Sequence, residues 1–140
     1  MRSQINTIEM LKNHEGFRFE AYQCTEGVWT IGYGHTKNVL EGDEMTKIEA
    51  ERVLFDDIVV AIADALDYFP HFMRLTHNRQ AVLIDMSFNL GLPRLEEFKK
   101  LKEALFRGLY KVASEEMLDS TWANQVGVRA KRLAKLMEEG

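Results

Sequence analysis

From Phe17 to Tyr33 the chain turns aromatic and β-branched and is broken by Gly27 and Gly32, with Gly34 just beyond, whereas flanking residues repeat their apolar positions at helical spacing. That contrast predicts a small antiparallel β-element, turning around Thr25-Glu26-Gly27, set into an otherwise helical protein. Ahead of it, Ile5, Ile8 and Leu11, with Met10, mark a first helix expected to end between Asn13 and Gly16, with Ser3 available as its N-cap. Behind it, Thr46 and Glu49 fit a capping box, the threonine oxygen accepting an early helix N–H while the glutamate reaches back.

The helix opened there carries Ile48, Val53, Leu54, Ile58, Ile62, Ala65 and Leu66 and is expected to stop shortly before Pro70. At about 1.5 Å per residue it would span about 30 Å, long enough for a spine between two lobes. Thr76 or Asn78 is placed to start another helix that Gly91 and Pro93 end. Leu95 to Arg107, Tyr110 to Leu118 and Val126 to Met137 are expected as further helices. The fold class is therefore α+β in a single domain. A small β-containing N-terminal lobe covers 1–45, a connecting helix 46–69, and an all-helical C-terminal lobe 70–140.

Composition narrows the function classes. A chain of 140 residues, 46% apolar and 29% charged, is an ordinary globular protein, able to bury roughly two-thirds of its unfolded surface. A net charge of −4 argues against nucleic-acid binding, which rests on Lys and Arg neutralising phosphates. The basic stretch 129–135 and the acidic stretch 41–57 read as solvated helix faces. The longest nearly uncharged apolar run, Ile58 to Ala63, is too short to cross a bilayer, and Met1 to Asn6 has no apolar core of signal-peptide length. No membrane insertion and no export signal are expected. Cys24 is the single cysteine, so no internal disulfide forms. No His/Cys/Asp cluster has metal-ligand spacing, and no cofactor is expected.

The β-element also carries the candidate chemistry. Eight residues separate Glu15 from Cys24 and five separate Cys24 from Thr30. A carboxylic acid just past a helix, with polar groups on strands folding back toward it, suits acid-assisted cleavage of a glycosidic bond. The donor must keep its proton at the working pH, which a dehydrating neighbourhood such as Phe17, Phe19 and Tyr22 favours. Blander readings stand beside this one. Glu15 is also an ordinary residue for a helix end, Cys24 for a small buried hydrophobe, and Thr30 for a strand.

Longer motifs decide among these readings. Leu11-Lys12-x-x-Glu15-Gly16-x-Arg18-x-x-Ala21-Tyr22, followed by Gly27-x-x-Thr30-Ile31-Gly32-Tyr33-Gly34-His35-Thr36, closely resembles the phage-type lysozymes, the endolysins of glycoside hydrolase family 24. Further matches follow in order: Glu49-Ala50-Glu51-Arg52, Leu75-Thr76-x-Asn78-Arg79-Gln80-Ala81, Phe88-Asn89-x-Gly91 and Trp122-x-Asn124-Gln125-x-x-x-Arg129-Ala130-Lys131-Arg132. The resemblance implies a lysozyme-like fold and hydrolysis of the β-1,4 bond between N-acetylmuramic acid and N-acetylglucosamine in peptidoglycan. Glu15, Cys24 and Thr30 fall on the family's catalytic Glu, Asp-or-Cys and Thr. Glu15 would be the general acid, and Cys24 with Thr30 would hold or replace the attacking water. Water held by Thr30 favours inversion, whereas a nucleophilic thiol permits retention.

The resemblance further implies that Tyr33, Asn89 and Arg129 bind substrate, Arg129 beside the glutamate, and that His35 and Asp57 form a structural ion pair. His14 replaces an acid that pairs with this arginine in some relatives. The stretch from Thr36 to Thr46 is short, and the acidic charge gives less steering toward an anionic wall. Two alternatives remain at this stage: a lytic transglycosylase needing only Glu15, and a non-catalytic wall-binding module of the same fold. A monomer is expected, held in the host cytoplasm until a holin-type pore releases it to the wall.

Overall fold

The computed structural model describes residues 3–140; Met1 and Arg2, at the head of the expected 1–45 lobe, lie outside the described residues. Contacts divide the chain into two units, Thr7–Val60 and a helical unit made of Ala61–Gly140 with the described residues up to Asn6. The first residues thus group with the helical unit and not with the β-element. Ile5 N–H donates to Asn78 Oδ1 at 2.8 Å, Asn78 Nδ2 donates to the Ser3 carbonyl at 3.1 Å, and His77 Nε2 bonds the Ile5 carbonyl at 2.7 Å. With these backbone groups engaged by distant side chains, Ser3 is no N-cap, and α1 runs only from Thr7 to Glu15.

In the first unit, α1 (Thr7–Glu15) stops at Gly16, whose φ of 71° and N–H bond to the Lys12 carbonyl at 2.9 Å make a left-handed terminator. The strands β1 (Arg18–Gln23) and β2 (Trp29–Gly32) pair antiparallel, with Tyr22 opposite Thr30 and an irregular register between Arg18 and Tyr22. Ala21 N–H donates to the Asp43 carbonyl and Met45 N–H to the Phe19 carbonyl, so residues 43–45 line the other edge of β1. The capping box then starts α2 (Lys47–Tyr68). Glu49 N–H donates to Thr46 Oγ1 at 3.2 Å, while Glu49 Oε1 accepts from Thr46 N–H at 3.1 Å and from its hydroxyl at 2.8 Å. α2 buries Ala50, Leu54, Ile58, Ala61 and Ala65, one face at three- and four-residue intervals. Ile48 and Leu66, expected among its apolar positions, are exposed because they lie on the opposite face.

The helical unit continues with a 3-10 turn (Phe72–Arg74), α3 (His77–Leu90), α4 (Leu92–Leu95), α5 (Lys99–Phe106), α6 (Tyr110–Leu118), α7 (Thr121–Val126) and α8 (Val128–Glu139). Thr76 is the N-cap of α3, accepting from Arg79 N–H at 3.2 Å. Three expectations are corrected here. Gly91 alone ends α3, while Pro93 sits in the first turn of α4, where a missing N–H costs nothing. The helix expected over Leu95 to Arg107 is broken at 96–98, where turn hydrogen bonds take over before α5 begins. The helix expected over Val126 to Met137 is α8 and starts at Val128, because Gly127 at φ 55° separates it from a further short helix, α7, capped by Ser120. α8 packs on both α3 and α6, burying Val82, Leu83, Met86, Met117 and Leu133.

Candidate active site

Glu15 ends α1 and is half-buried. The backbone of a tight turn lies against it. Ile31 and His35 exchange N–H to carbonyl bonds, both 2.9 Å, and the turn between them carries Gly32 and Gly34 at φ 62° and 72°. A Cβ built on Gly34 would fall 2.8 Å from Cδ and 3.2 Å from Cγ of Glu15, and closer still to Oε1. The acid's carboxyl therefore occupies the space that a side chain at position 34 would need.

The rest of the turn is anchored. A Cβ on Gly32 would come within 2.9 Å of Met45 Sδ and 3.1 Å of Ala50 Cβ. The Tyr33 ring packs 5.6 Å from that of Phe17, with Lys12 Nζ 5.7 Å from its centroid. Expected to bind substrate, Tyr33 is only 5% exposed and has little surface to offer a sugar. His35 Nδ1 lies 2.7 Å from Asp57 Oδ2, joining the turn to α2. Lys12 also reaches Glu51 at 3.2 Å, and that hydrogen bond is the main reason its ammonium pKa is raised.

Cys24 and Thr30 sit at the hairpin's far end. Cys24 N–H donates to the Val28 carbonyl at 3.0 Å, its carbonyl accepts from Gly27 N–H at 2.8 Å, and its free thiol is half-buried. Thr30 is buried, and its hydroxyl donates to the Val28 carbonyl at 3.0 Å. That bond commits the hydroxyl proton and leaves oxygen lone pairs to accept from a water.

Asn89 and Arg129 belong to the helical unit. Asn89 Oδ1 accepts from Trp122 Nε1 at 2.7 Å, which fixes the amide's orientation. Arg129 Nε donates to Asp85 Oδ1 at 2.9 Å, with Asp85 fully buried and the arginine side chain 11% exposed. Sequence motifs give no role to Trp122 or Asp85 themselves, although a carboxylate at position 85 among Val82, Leu83, Ile84 and Met86 already calls for a cation. A cavity of about 470 Å³ opens beside Trp122, walled by Leu90, Phe98 and Leu101 with Arg94 and Glu97 at its margin. Among the described residues no three His, Cys, Asp or Glu side chains are grouped to hold a metal ion.

A model of the phage lysozyme family matches residues 12–138, nearly the whole chain. The chain belongs to that family. It is 37% identical to an endolysin of Acyrthosiphon pisum secondary endosymbiont phage 1, across 86% of this chain and 80% of the relative. It is 30% identical to the probable T4-type lysozyme 2 of Dictyostelium discoideum, across 94% of this chain and 93% of the relative. The α+β architecture of a small two-stranded sheet among helices agrees with that membership. The protein is accordingly a glycoside hydrolase of the lysozyme type that acts on peptidoglycan. No helix among the described residues is long and apolar enough to cross a membrane.

Proposed function

We propose that this lysozyme is an N-acetylmuramidase that hydrolyses the β-1,4 bond between N-acetylmuramic acid and N-acetylglucosamine, with Glu15 as the general acid. The observation that carries the proposal is the placement of Glu15: its carboxyl is held at the end of α1 against an anchored backbone turn, in the same unit as Cys24 and Thr30. A proton donor needs fixed geometry before anything else. Thr30, its own proton committed to Val28, is suited to accept from a water that Cys24 helps hold or, as thiolate, replaces. Asn89 and Arg129, oriented by Trp122 and Asp85, are the proposed sugar contacts. The protein is proposed to act as a monomer and to reach the wall through a holin-type pore, a reading supported by its likeness to a relative named an endolysin.

The test is clearing of membrane-permeabilised Gram-negative cells. Glu15→Gln is expected to lose about 10³-fold in rate, the usual worth of a positioned acid, and wild-type clearing by it would remove Glu15 from the role. Cys24→Asp is expected to stay active and Cys24→Ala to lose most activity. Product ends must be reducing sugars; 1,6-anhydro ends would mean that the sugar's own hydroxyl displaces the leaving group.

A further inference from the structure

The structure assigns Gly34 to the catalytic machinery as a positioning residue: its missing side chain reserves the place of the Glu15 carboxyl and holds the acid in one orientation. This rests on the reading of Glu15 as the general acid. Most positive-φ glycines of the protein are explained by backbone conformation alone. Gly16, Gly27 and Gly42, at φ 71°, 78° and 89°, would meet nothing within 4 Å if they carried a Cβ. Gly34 combines a φ of 72° with a Cβ site 2.8 Å from Cδ of Glu15, inside any tolerable contact.

Something must move if a methyl is added there, and the surroundings decide what. The turn is tied by the Ile31–His35 pair of backbone bonds, by Gly32 wedged on Met45 and Ala50, and by His35 against Asp57. The base of Glu15 is fixed within α1 and its terminator. The atoms in the way are the far end of a side chain, Glu15 Cγ, Cδ and Oε1, which shift more readily than a tied backbone turn, so the carboxyl gives way. Conversely, with glycine at 34 the backbone closes one side of the carboxyl and removes rotamers it would otherwise sample. Displacing a reacting group by about 1 Å costs on the order of 10²-fold in rate.

The experiment compares Gly34→Ala with Gly42→Ala, which carries the same kind of backbone penalty without a neighbour. Gly34→Ala is expected to lower kcat about 10²-fold, with KM within about twofold, and to displace the acid limb of the pH–rate profile. Gly42→Ala should keep the wild-type kcat and profile. Equal kcat for the two variants overturns the proposal.

A second readout does not use activity. The melting temperature cost of Gly34→Ala is measured in wild type and in a Glu15→Ala background. It should shrink to the cost of Gly42→Ala once the carboxyl is gone. A cost that is the same in both backgrounds, including failure to fold in both, overturns it as well. The two readings fail separately. An active Glu15→Gln removes Glu15 as acid but leaves the packing cycle to stand. An inactive Glu15→Gln beside a fully active Gly34→Ala leaves Glu15 as acid and removes only the positioning role.

Discussion

The turn that carries Gly34 and the pairing of α3 with α8 hold polar groups in opposite ways. Around Glu15 the main chain makes the close approach: left-handed glycines bring backbone against a carboxyl, and the side chains nearby anchor the turn. Across α3 and α8 the main chain is ordinary helix, and side chains do the holding. Asp85 grips Arg129, Trp122 of the adjoining α7 grips Asn89, and Arg79 donates to the Met137 and Glu138 carbonyls with its guanidinium 3.5 Å from the ring of Tyr110 in α6. The first region should therefore be intolerant of added atoms, and the second intolerant of removed polar ones.

The largest effect on stability is expected in the second region. Asp85→Ala removes the buried carboxylate to which the Arg129 guanidinium donates and should cost about 3 kcal/mol in urea unfolding. Replacing both partners, Asp85→Leu with Arg129→Met, should restore most of that loss. A single substitution as mild as the double would show that the pair is not what holds α8 to α3. Next comes the β-region. Gly32→Ala should cost about 2 kcal/mol, since its Cβ would press on Met45 and Ala50. Gly42→Ala has only its left-handed backbone to disturb and should cost about 1 kcal/mol. Equal costs would mean that conformation, and not close approach, explains the glycine at position 32.

The smallest effect concerns the capping box of α2, where both kinds of holding meet. The Thr46 hydroxyl, and then the Thr46 backbone N–H, hold the Glu49 carboxylate below its ordinary pKa of 4.5. A lowered folded-state pKa gives stability that is complete above the unfolded value and lost as pH falls through the folded one. Acid titration of wild type against Glu49→Gln should thus begin to converge as pH falls below the ordinary value of 4.5 and meet only below the lowered folded-state pKa. Curves that stay parallel to lower pH would show that the box contributes nothing through ionisation.

Much of the fold was legible because its signals are local. The Thr46–Glu49 box, the Thr76 cap and the glycine-broken β-element depend on residues a few positions apart. Misreadings came where distant groups intervened. Ser3 lost its capping role because Asn78 and His77 engage the chain there. The continuous helix expected over 95–107 ignored the turn bonds at 96–98. For the site, motifs supplied Glu15, Cys24 and Thr30 as positions, but no local rule distinguishes Gly34 from Gly42, because both are simply glycines at turns.

By itself the sequence determined the class of element at most positions, the family and the candidate acid Glu15, since periodicity, caps and motif spacing are carried by near neighbours along the chain. Tertiary structure alone decided what touches that acid. Gly34 meets Glu15 across an intervening hairpin, and Asp85 meets Arg129 from separate helices. Such approaches depend on how elements pack, and a glycine records them only as a missing atom whose significance appears when the neighbour is in place.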